Sequence, residues 1–248
     1  MINPRARSKV KCSHFFNSGL CKAIRLDILR PSPILSICVR NTPFMALVSR
    51  LRTIVLALSL FYATFYPALA SVIYTPTSYQ TACHFHGRCL ARGVEWLDQR
   101  IDELVEYWRH DRYRLPRNWT IKERQHLKEV RAMYDQLVWG LPIALILLLA
   151  FANQKQMLAA ARFNTLFVVS LLLLIPVFNP FWKEVFHPLL FDNLMWKNNR
   201  ADTSWYFMPK TFFRVSTIYI ICATTFVNLI IWQWLRMRLK RQEKITTE

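Results

Sequence analysis

Glycine and charged residues are both scarce in this chain of 248 residues. It has only 4 glycines, and Asp, Glu, Lys and Arg together make up 19% of it, against about a quarter in soluble domains. The low glycine content excludes a collagen-like chain, and the long apolar runs exclude a disordered one. No Walker A loop or glycine-rich dinucleotide motif occurs, so the sequence gives no sign of a nucleotide cofactor. With 53% hydrophobic residues, the composition favours a membrane protein.

Acidic residues are also few, with 15 against 33 lysines and arginines and a net charge of +18. Such an excess is typical of nucleic-acid-binding proteins. Here, however, half of it lies in residues 1–52, and much of the remainder lies at the C-terminus and in short stretches between apolar runs. A groove for phosphates requires the charge on one surface, whereas a membrane protein has it at the ends of its spans. The sequence therefore predicts contact with the lipid bilayer and none with nucleic acid.

Four apolar runs are long enough, or nearly so, to cross a hydrocarbon core about 30 Å thick. Backbone polar groups in lipid must be paired within the segment, so we expect each run to be a helix. The runs are residues 53–73, 137–152, 163–182 and 212–235. We predict an all-α membrane protein in which four transmembrane helices carry a mostly helical extracytoplasmic cap. The cap consists of the two outer segments, residues 74–136 and 183–211. The basic ends of the chain, residues 1–52 and 236–248, are predicted to be cytoplasmic.

Positive charges outside the apolar runs predict the orientation of the chain. Lys155 and Arg162 flank the short turn between the second and third runs, and a basic cluster at residues 236–244 follows the fourth. Lysine and arginine are enriched in cytoplasmic loops. We therefore predict a multi-pass protein whose two termini and central turn face the cytoplasm.

The N-terminal region leaves alternatives open. Ala68-Leu69-Ala70 has the small-x-small form of a signal-peptide cleavage site, so the first apolar run is either a retained anchor, which we favour, or a cleaved signal peptide. Met45 is an alternative start, and residues 1–44 have no clear periodicity. We interpret residues 1–44 as a solvated basic tail or a start-site artefact.

Two of the six cysteines, Cys83 and Cys89, fall in the first outer segment with His84 and His86 between them. Disulfides persist on the oxidising side of a membrane, so these two thiols form a disulfide, remain unpaired or bind zinc. The tight spacing makes a tetrahedral site from all four groups awkward. We favour the disulfide over unpaired thiols, and both over a metal site.

The first outer segment is predicted to be largely helical. Apolar residues at helical spacing indicate a helix over residues 93–110, and polar residues around Pro116 follow it. Thr120-Ile121-Lys122-Glu123 has the pattern of a capping box. This box begins a second helix, which continues into the second apolar run.

Two histidines in the outer segments are candidates for chemistry. Glu123, His126 and Glu129 are three residues apart and share one helix face. That arrangement alone is often a solvated, salt-bridged face. His187, however, comes five residues after Trp182 at the end of the third apolar run, so it reaches the same side of the membrane as His126. Imidazole titrates near neutral pH and suits proton transfer.

The residues around both histidines resemble the motifs of a known family. Residues 123–130, E-R-Q-H-L-K-E-V, resemble the E-R-x-H-(L/M)-x-D-V motif of the lipoprotein intramolecular transacylase (Lit) family of bacterial integral membrane proteins. Residues 186–213, which include His187, Trp196 and Asp202, are similar to the second motif of that family. Both motifs and the four apolar runs occur in the order of the family.

The resemblance covers about residues 46–240 and implies a reaction within one lipoprotein molecule. The sn-2 acyl ester of a diacylglyceryl-modified N-terminal cysteine is transferred to the α-amine of that cysteine, which gives the lyso-form. The resemblance thus implies diacylglyceryl-modified lipoproteins as substrates and the bacterial cytoplasmic (inner) membrane as location. It implies no cofactor, no metal and no external acyl donor.

We predict that His126 and His187 are the catalytic pair, one as base toward the amine and the other as donor to the ester or the leaving alkoxide. Four further residues support them, the first two by orienting His126 and the last two by shaping the cavity: Glu123, Glu129, Trp196 and Asp202. Simple packing of Trp196 at the interface and a loop turn at Asp202 remain the alternatives. The other outer histidines are interpreted as surface residues: His84, His86 and His110.

A non-enzymatic membrane subunit, such as a chaperone of an envelope complex, is the alternative function. The basic and aromatic outer segment would then be a docking cap. A transporter is disfavoured, because only Arg214 brings a charge into an apolar run and no pair of broken helices is evident. The enzyme requires both histidines in one lipid-facing cavity, whereas a docking subunit predicts that they lie far apart.

Overall fold

The computed structural model describes residues 43–247 of the chain. The chain divides into two units, Met1–Arg50 and Leu51–Glu248. Of the first unit only residues 43–50 are described, as the first turns of helix α1. The interpretation of the preceding basic stretch as a tail or a start-site artefact lies outside the described residues.

All regular structure in the described part of the chain is helical. In chain order the helices are α1 Pro43–Ile73, α2 Pro76–Cys83, α3 Val94–Trp108, α4 Ile121–Phe151, α5 Gln154–Ser170, α6 Phe178–Pro180, α7 His187–Leu190, α8 Ser204–Phe207 and α9 Lys210–Thr247. Short 3-10 turns at Cys89–Arg92 and Leu171–Leu174 and a π-helical turn at Phe181–Phe186 connect them. The prediction of an all-α chain is confirmed.

Four of these helices are long and apolar enough to cross a membrane. The segments concerned are Ala46–Ile73, Ile121–Phe151, Gln154–Leu174 and Lys210–Thr246. They expose large apolar side chains; Leu149 is 83% exposed and Phe226 is 63% exposed. The exposure of such large apolar surfaces to water is unfavourable, whereas lipid tails solvate them. The predicted fold with four transmembrane helices is therefore confirmed.

Polar side chains join the spans to one another. Asn164 of α5 donates from Nδ2 to the carbonyl oxygen of Ala57 in α1 at 2.9 Å. Asn228 of α9 donates from Nδ2 to Oγ1 of Thr64 in α1 at 2.8 Å. Interhelical hydrogen bonds of this kind satisfy polar groups that lipid cannot. They fix α5 and α9 against α1.

Helix α4 is longer than the hydrocarbon core is thick. Its 31 residues span about 46 Å at 1.5 Å per residue, so about 16 Å extends beyond the core. The predicted capping box at its N-terminus is present: Thr120 Oγ1 accepts from the Glu123 amide at 3.2 Å, and the Glu123 carboxylate accepts from the Thr120 amide at 3.0 Å. This extension carries the glutamates and the histidine of the first motif.

The third apolar run is not one continuous helix to residue 182. Helix α5 ends at Ser170, a 3-10 turn follows to Leu174, and a bend at Ile175 leads into a turn at Pro176 and Val177. Proline removes a backbone N–H and clashes with the preceding turn, so it interrupts the helix. The remaining residues of the run form α6 and the start of the π-helical turn, which leads into His187.

The two outer segments form one cap with an aromatic core. Tyr79 of α2 stacks on Phe212 at the start of α9, with ring centroids 5.1 Å apart. Phe207 of α8 packs edge-on against Trp119, with centroids 6.1 Å apart. Trp108 of α3 donates from Nε1 to the hydroxyl of Tyr79 at 3.1 Å. Buried aromatic rings whose polar ends are bonded make this cap a packed structure.

The disulfide between Cys83 and Cys89 is formed, as predicted. The loop that it closes packs against the second outer segment. The Arg88 guanidinium lies 4.0 Å from the centre of the Trp205 ring, and the Cys89 sulfur lies 3.6 Å from the carbonyl oxygen of Tyr206. Although His86 lies beside the two sulfurs, both thiols are committed to the disulfide and neither is available as a thiolate ligand.

Candidate active site

The two predicted catalytic histidines lie side by side. His126 comes from the second turn of α4 and His187 from the first residue of α7, and their ring centroids are 6.4 Å apart. Phe191 packs against both rings, with centroid distances of 4.7 Å and 5.9 Å. Both imidazoles are largely buried; the His187 residue is 6% exposed. The structure thus places the two histidines in one site at the junction of cap and spans.

The hydrogen bond of His187 fixes its tautomer. Nδ1 lies 2.7 Å from the carbonyl oxygen of Trp182. A carbonyl oxygen only accepts, so Nδ1 carries the proton and donates it. In the neutral ring Nε2 then has a free lone pair. Because Trp182 lies in the π-helical turn five residues before His187, this bond depends on the local irregularity of the chain.

Aromatic rings enclose His187. The Trp196 ring lies 4.3 Å from it and the Trp182 ring 4.7 Å, between centroids. Burial among such rings disfavours the charged form, so it lowers the pKa of His187 from its ordinary value of 6.5, and the bond to the Trp182 carbonyl offsets this only in part. His187 is therefore a neutral imidazole at neutral pH.

Glu129 faces His126 without bonding to it. Its Oε2 lies 3.8 Å from His126 Nδ1, which is an ion-pair distance and too long for a hydrogen bond. Asn193 of the second outer segment donates to both oxygens of this carboxylate at 3.1 and 3.2 Å. The carboxylate is therefore held in place by Asn193, and it stabilises a positive charge on His126 when one forms.

The Glu123 carboxylate forms its hydrogen bonds with Ser204 and Thr120 rather than with His126, the imidazole that it was predicted to orient. It is 2% exposed, and its Oε1 accepts from both the backbone amide and the hydroxyl of Ser204, each at 2.7 Å. Its Oε2 accepts from the backbone amide of Thr120 at 3.0 Å. The carboxylate thus joins the start of α4 to the start of α8, and it holds the two outer segments together.

Asp202 belongs to the same junction. Its Oδ2 accepts from Lys122 Nζ at 2.5 Å and from the Asn199 amide at 2.7 Å. Its Oδ1 lies 2.9 Å from the hydroxyl of Thr120. Asp202 is 1% exposed, and its contacts lie among the capping residues of α4. Of the two residues predicted to shape the cavity, only Trp196 touches a histidine ring.

Two residues of the site, Asn193 and Ser204, belong to no motif that the sequence displays. Ser204 supplies two of the hydrogen bonds to Glu123, and Asn193 holds Glu129. Neither follows a motif of fixed spacing, because each partner lies more than sixty residues away along the chain. Their only signal was membership of the second outer segment.

The remaining outer histidines lie elsewhere. His84 is exposed, and His86 lies beside the disulfide. His110 follows the end of α3 with a φ of 68°, and its Nε2 lies 2.7 Å from Oδ1 of Asp135. Arg131 contacts the other ring nitrogen of His110. These three histidines form separate environments on the cap.

Comparisons with known proteins identify the family of the chain and structures with a similar fold. A family model described as "Lipoprotein intramolecular transacylase Lit" matches residues 49–213. Among solved structures, the fold is similar to the membrane-integral lipoprotein intramolecular transacylase Lit from Bacillus cereus, with a TM-score of 0.69 and 21% identity over 80% of this chain and 99% of that chain.

Two variant structures of the same Bacillus cereus protein also match. In them one histidine is replaced by arginine or by alanine, and their TM-scores are 0.68 and 0.66 at 21% identity. The matches cover 82% and 83% of this chain and 97% and 100% of those chains. No curated protein matches the sequence significantly. At this identity the solved structures show the shared fold, and the family model shows the family.

Proposed function

The chain belongs to the lipoprotein intramolecular transacylase family and is an integral membrane acyltransferase, and we propose that it moves the sn-2 acyl chain of a diacylglyceryl-cysteine lipoprotein to the α-amine of the same cysteine. The observation that carries this proposal is the meeting of His126 and His187, one from each motif, at 6.4 Å. Family membership supports an enzyme over a docking subunit, and the proximity of the two rings agrees with it.

The reaction forms one C–N bond and breaks one C–O bond. An α-amine titrates near 8, so at neutral pH it is largely ammonium and cannot attack. In our proposal His187 Nε2 takes the first proton from the ammonium, because its Nδ1 is already engaged with Trp182. The neutral amine then attacks the ester carbonyl of the same molecule. Because the amine and the ester belong to one molecule, their proximity provides much of the rate enhancement.

His126 is proposed to handle the proton of the leaving group. The proton accepted by the pair is held near Glu129, whose carboxylate lies 3.8 Å from His126 Nδ1. The imidazolium stabilises the oxyanion of the tetrahedral intermediate and then protonates the leaving sn-2 oxygen. The second amine proton is released through the pair to water. Overall, the reaction converts one ammonium group and one ester into one amide, one alcohol and one proton.

Access from the lipid is supported by exposed apolar residues in the same stretch of chain as His187. Val185 is 52% exposed, Leu189 79% and Leu194 65%. Side chains of this kind contact acyl chains favourably. A lipoprotein that is anchored in the bilayer by its own two chains would therefore present its ester at the level of the histidines.

The acid limb of the pH profile tests the state of the pair. Both rings must begin neutral, and burial lowers the pKa of His187 below 6.5. As the pH falls, the neutral ring therefore persists through 6.5 and is lost only at the lower pKa. We expect the rate at saturating substrate to have an acid midpoint below pH 6.5, well separated from the amine, which titrates near 8. A midpoint above 6.5 would contradict a buried neutral base.

We propose that the site faces the outside of the bacterial cytoplasmic membrane and that both termini face the cytoplasm. Lys155 and the basic cluster at residues 236–244 lie at the opposite end of the spans from the histidines, which supports this orientation through the positive-inside bias. A reporter that is active only in the cytoplasm, fused after Glu248, should be active. Activity of an outer-side reporter at that position would contradict this orientation.

Mass spectrometry of a lipoprotein N-terminal peptide tests the proposed function. Cells that make diacylglyceryl lipoproteins but lack N-acylation should gain an N-acyl, S-monoacylglyceryl peptide when they express this chain. The total number of acyl chains should stay at two, because one chain only moves. A peptide that keeps both esters and a free amine would contradict the proposal.

A further inference from the structure

A groove lies between α5 and α9 at the end of the spans remote from the histidines. It has a volume of about 640 Å³. Three cationic residues, Lys155, Arg162 and Arg236, line it together with apolar side chains that include Phe163 and Leu166. His126 lies twenty-five residues before the end of α4 at Phe151, about 38 Å along a helix. The groove is therefore separate from the candidate active site.

Within residues 43–247 the two arginines of this groove have no charged partner. Among the described residues, neither Arg162 nor Arg236 forms an ion pair or a side-chain hydrogen bond. Arg52, at the same end of the spans, differs: it donates from Nε and Nη2 to the carbonyl oxygen of Phe151 at 3.1 and 2.9 Å. The groove thus concentrates positive charge that no residue of the described range 43–247 neutralises there.

The depth of Arg162 makes its lack of a partner significant. It lies eight residues after the first residue of α5, which is about 12 Å along the helix axis. Its side chain is exposed on an apolar helix. A guanidinium at that position is unfavourable in lipid unless it reaches an interface or meets an anion. A phosphate oxygen pair suits it, because guanidinium binds phosphate through two parallel hydrogen bonds.

Beside the cations, the wall of the groove is apolar. Phe163 is 59% exposed and Leu166 is 55% exposed, and both follow Arg162 toward the middle of the span. Trp232 of α9 lies one turn before Arg236, where tryptophan is favoured at a membrane interface. A small inorganic anion would use the cations and leave the apolar wall uncovered. A phospholipid would use both.

We propose that this groove binds one anionic phospholipid, with its phosphate among Lys155, Arg162 and Arg236 and an acyl chain along Phe163 and Leu166. Basic pockets between transmembrane helices on the cytoplasmic side are suited to anionic head groups. The bound lipid would neutralise the charge between α5 and α9, which come before and after the histidine-bearing α7 in the chain. It is a site for a resident lipid and is distinct from the lipoprotein substrate.

Native mass spectrometry of the purified full chain tests this site. Delipidated protein is titrated with phosphatidylglycerol and with phosphatidylcholine of the same acyl chains. We expect one phosphatidylglycerol per chain at concentrations where phosphatidylcholine does not bind. Each basic residue near a membrane surface contributes about fivefold in affinity, so Arg162→Gln with Arg236→Gln should weaken binding by roughly 25-fold. Millimolar inorganic phosphate should not displace the lipid.

A matched control removes the same charge outside the groove. Arg238 and Lys240 also lie on α9, and Arg238 stacks on Trp234 with its guanidinium 4.3 Å from the ring centre. Arg238→Gln with Lys240→Gln should leave binding within about twofold of wild type, since the groove cations remain. Equal losses of affinity for phosphatidylglycerol in both double variants would show that the overall charge, and not the groove, determines binding. Equal binding of phosphatidylcholine, or displacement by free phosphate, would also overturn the proposal.

A salt titration of the wild-type protein tests the site without any variant, and therefore also where a double variant folds poorly. In wild-type protein the affinity for phosphatidylglycerol should fall as salt is raised, because exposed charges are screened. The weak binding of phosphatidylcholine should not change in the same titration. An affinity for phosphatidylglycerol that is independent of salt would contradict a site based on three cations.

Discussion

Replacing either His126 or His187 by alanine is expected to abolish acyl migration while the protein still accumulates in the membrane. General acid and base groups contribute about 10²–10⁴-fold to a rate, so each variant should give almost no N-acyl peptide. The two rings act as one proton-transferring pair at 6.4 Å. Because residues that act as a unit are non-additive, the double variant should be little worse than either single variant.

His84→Ala is the matched control for these variants. His84 is an exposed histidine of the same outer segment and has no contact with the pair, so turnover should stay at the wild-type level. Each variant is compared at equal membrane abundance, which separates chemistry from folding. Near wild-type turnover in His126→Ala or His187→Ala would show that the histidine concerned is not catalytic.

Replacing Glu123 by alanine is expected to give the largest loss of stability among the cap residues. The change leaves the buried Ser204 amide, the Ser204 hydroxyl and the Thr120 amide without their acceptor. Orphaned buried donors cost about 1–3 kcal/mol each, so we expect a loss of about 3 kcal/mol in the free energy of unfolding. For a chain of this size that lowers the melting temperature by roughly 6–12 °C. Thermal unfolding in detergent measures it.

Glu123→Gln and Glu95→Gln are the control variants for this prediction. Glutamine at position 123 keeps one oxygen and should lose less stability than alanine does. Glu95 is exposed at the start of α3, and surface changes of this kind stay within about 0.5 kcal/mol. A melting temperature for Glu123→Ala equal to that of Glu95→Gln would contradict the structural role of the carboxylate.

Much of the fold could be predicted because it depends on local pattern. The apolar runs predict four transmembrane helices, because the backbone polar groups of an apolar segment in lipid must be hydrogen-bonded within that segment. The capping box at Thr120 predicts where α4 begins, and the helix length then places His126 beyond the core. His187 follows the third run at similar depth. A common side of the membrane and a similar depth therefore follow from these lengths, whereas the separation of 6.4 Å between the two rings depends on the turns that lead from α5 to α7.

The parts that could not be predicted depend on contacts between distant residues. The role of Glu123 was predicted from its spacing to His126, but its carboxylate turns toward Ser204 because the second outer segment supplies two donors there. The third apolar run was predicted to be one helix although it contains Pro176, and proline interrupts a helix. The π-helical turn that brings the Trp182 carbonyl to His187 has no sequence signature of its own.

The most direct test of the account follows one acyl chain from ester to amine with purified protein. Two diacylglyceryl peptides are mixed, one with a deuterated sn-2 chain and one with a different peptide sequence and no label. Mass spectrometry then locates the label. Transfer within one molecule predicts deuterium only on the nitrogen of the peptide that carried it, and none of this product with His187→Ala. Deuterium on the nitrogen of the other peptide, or an N-acyl chain taken from the surrounding phospholipid, would contradict the account.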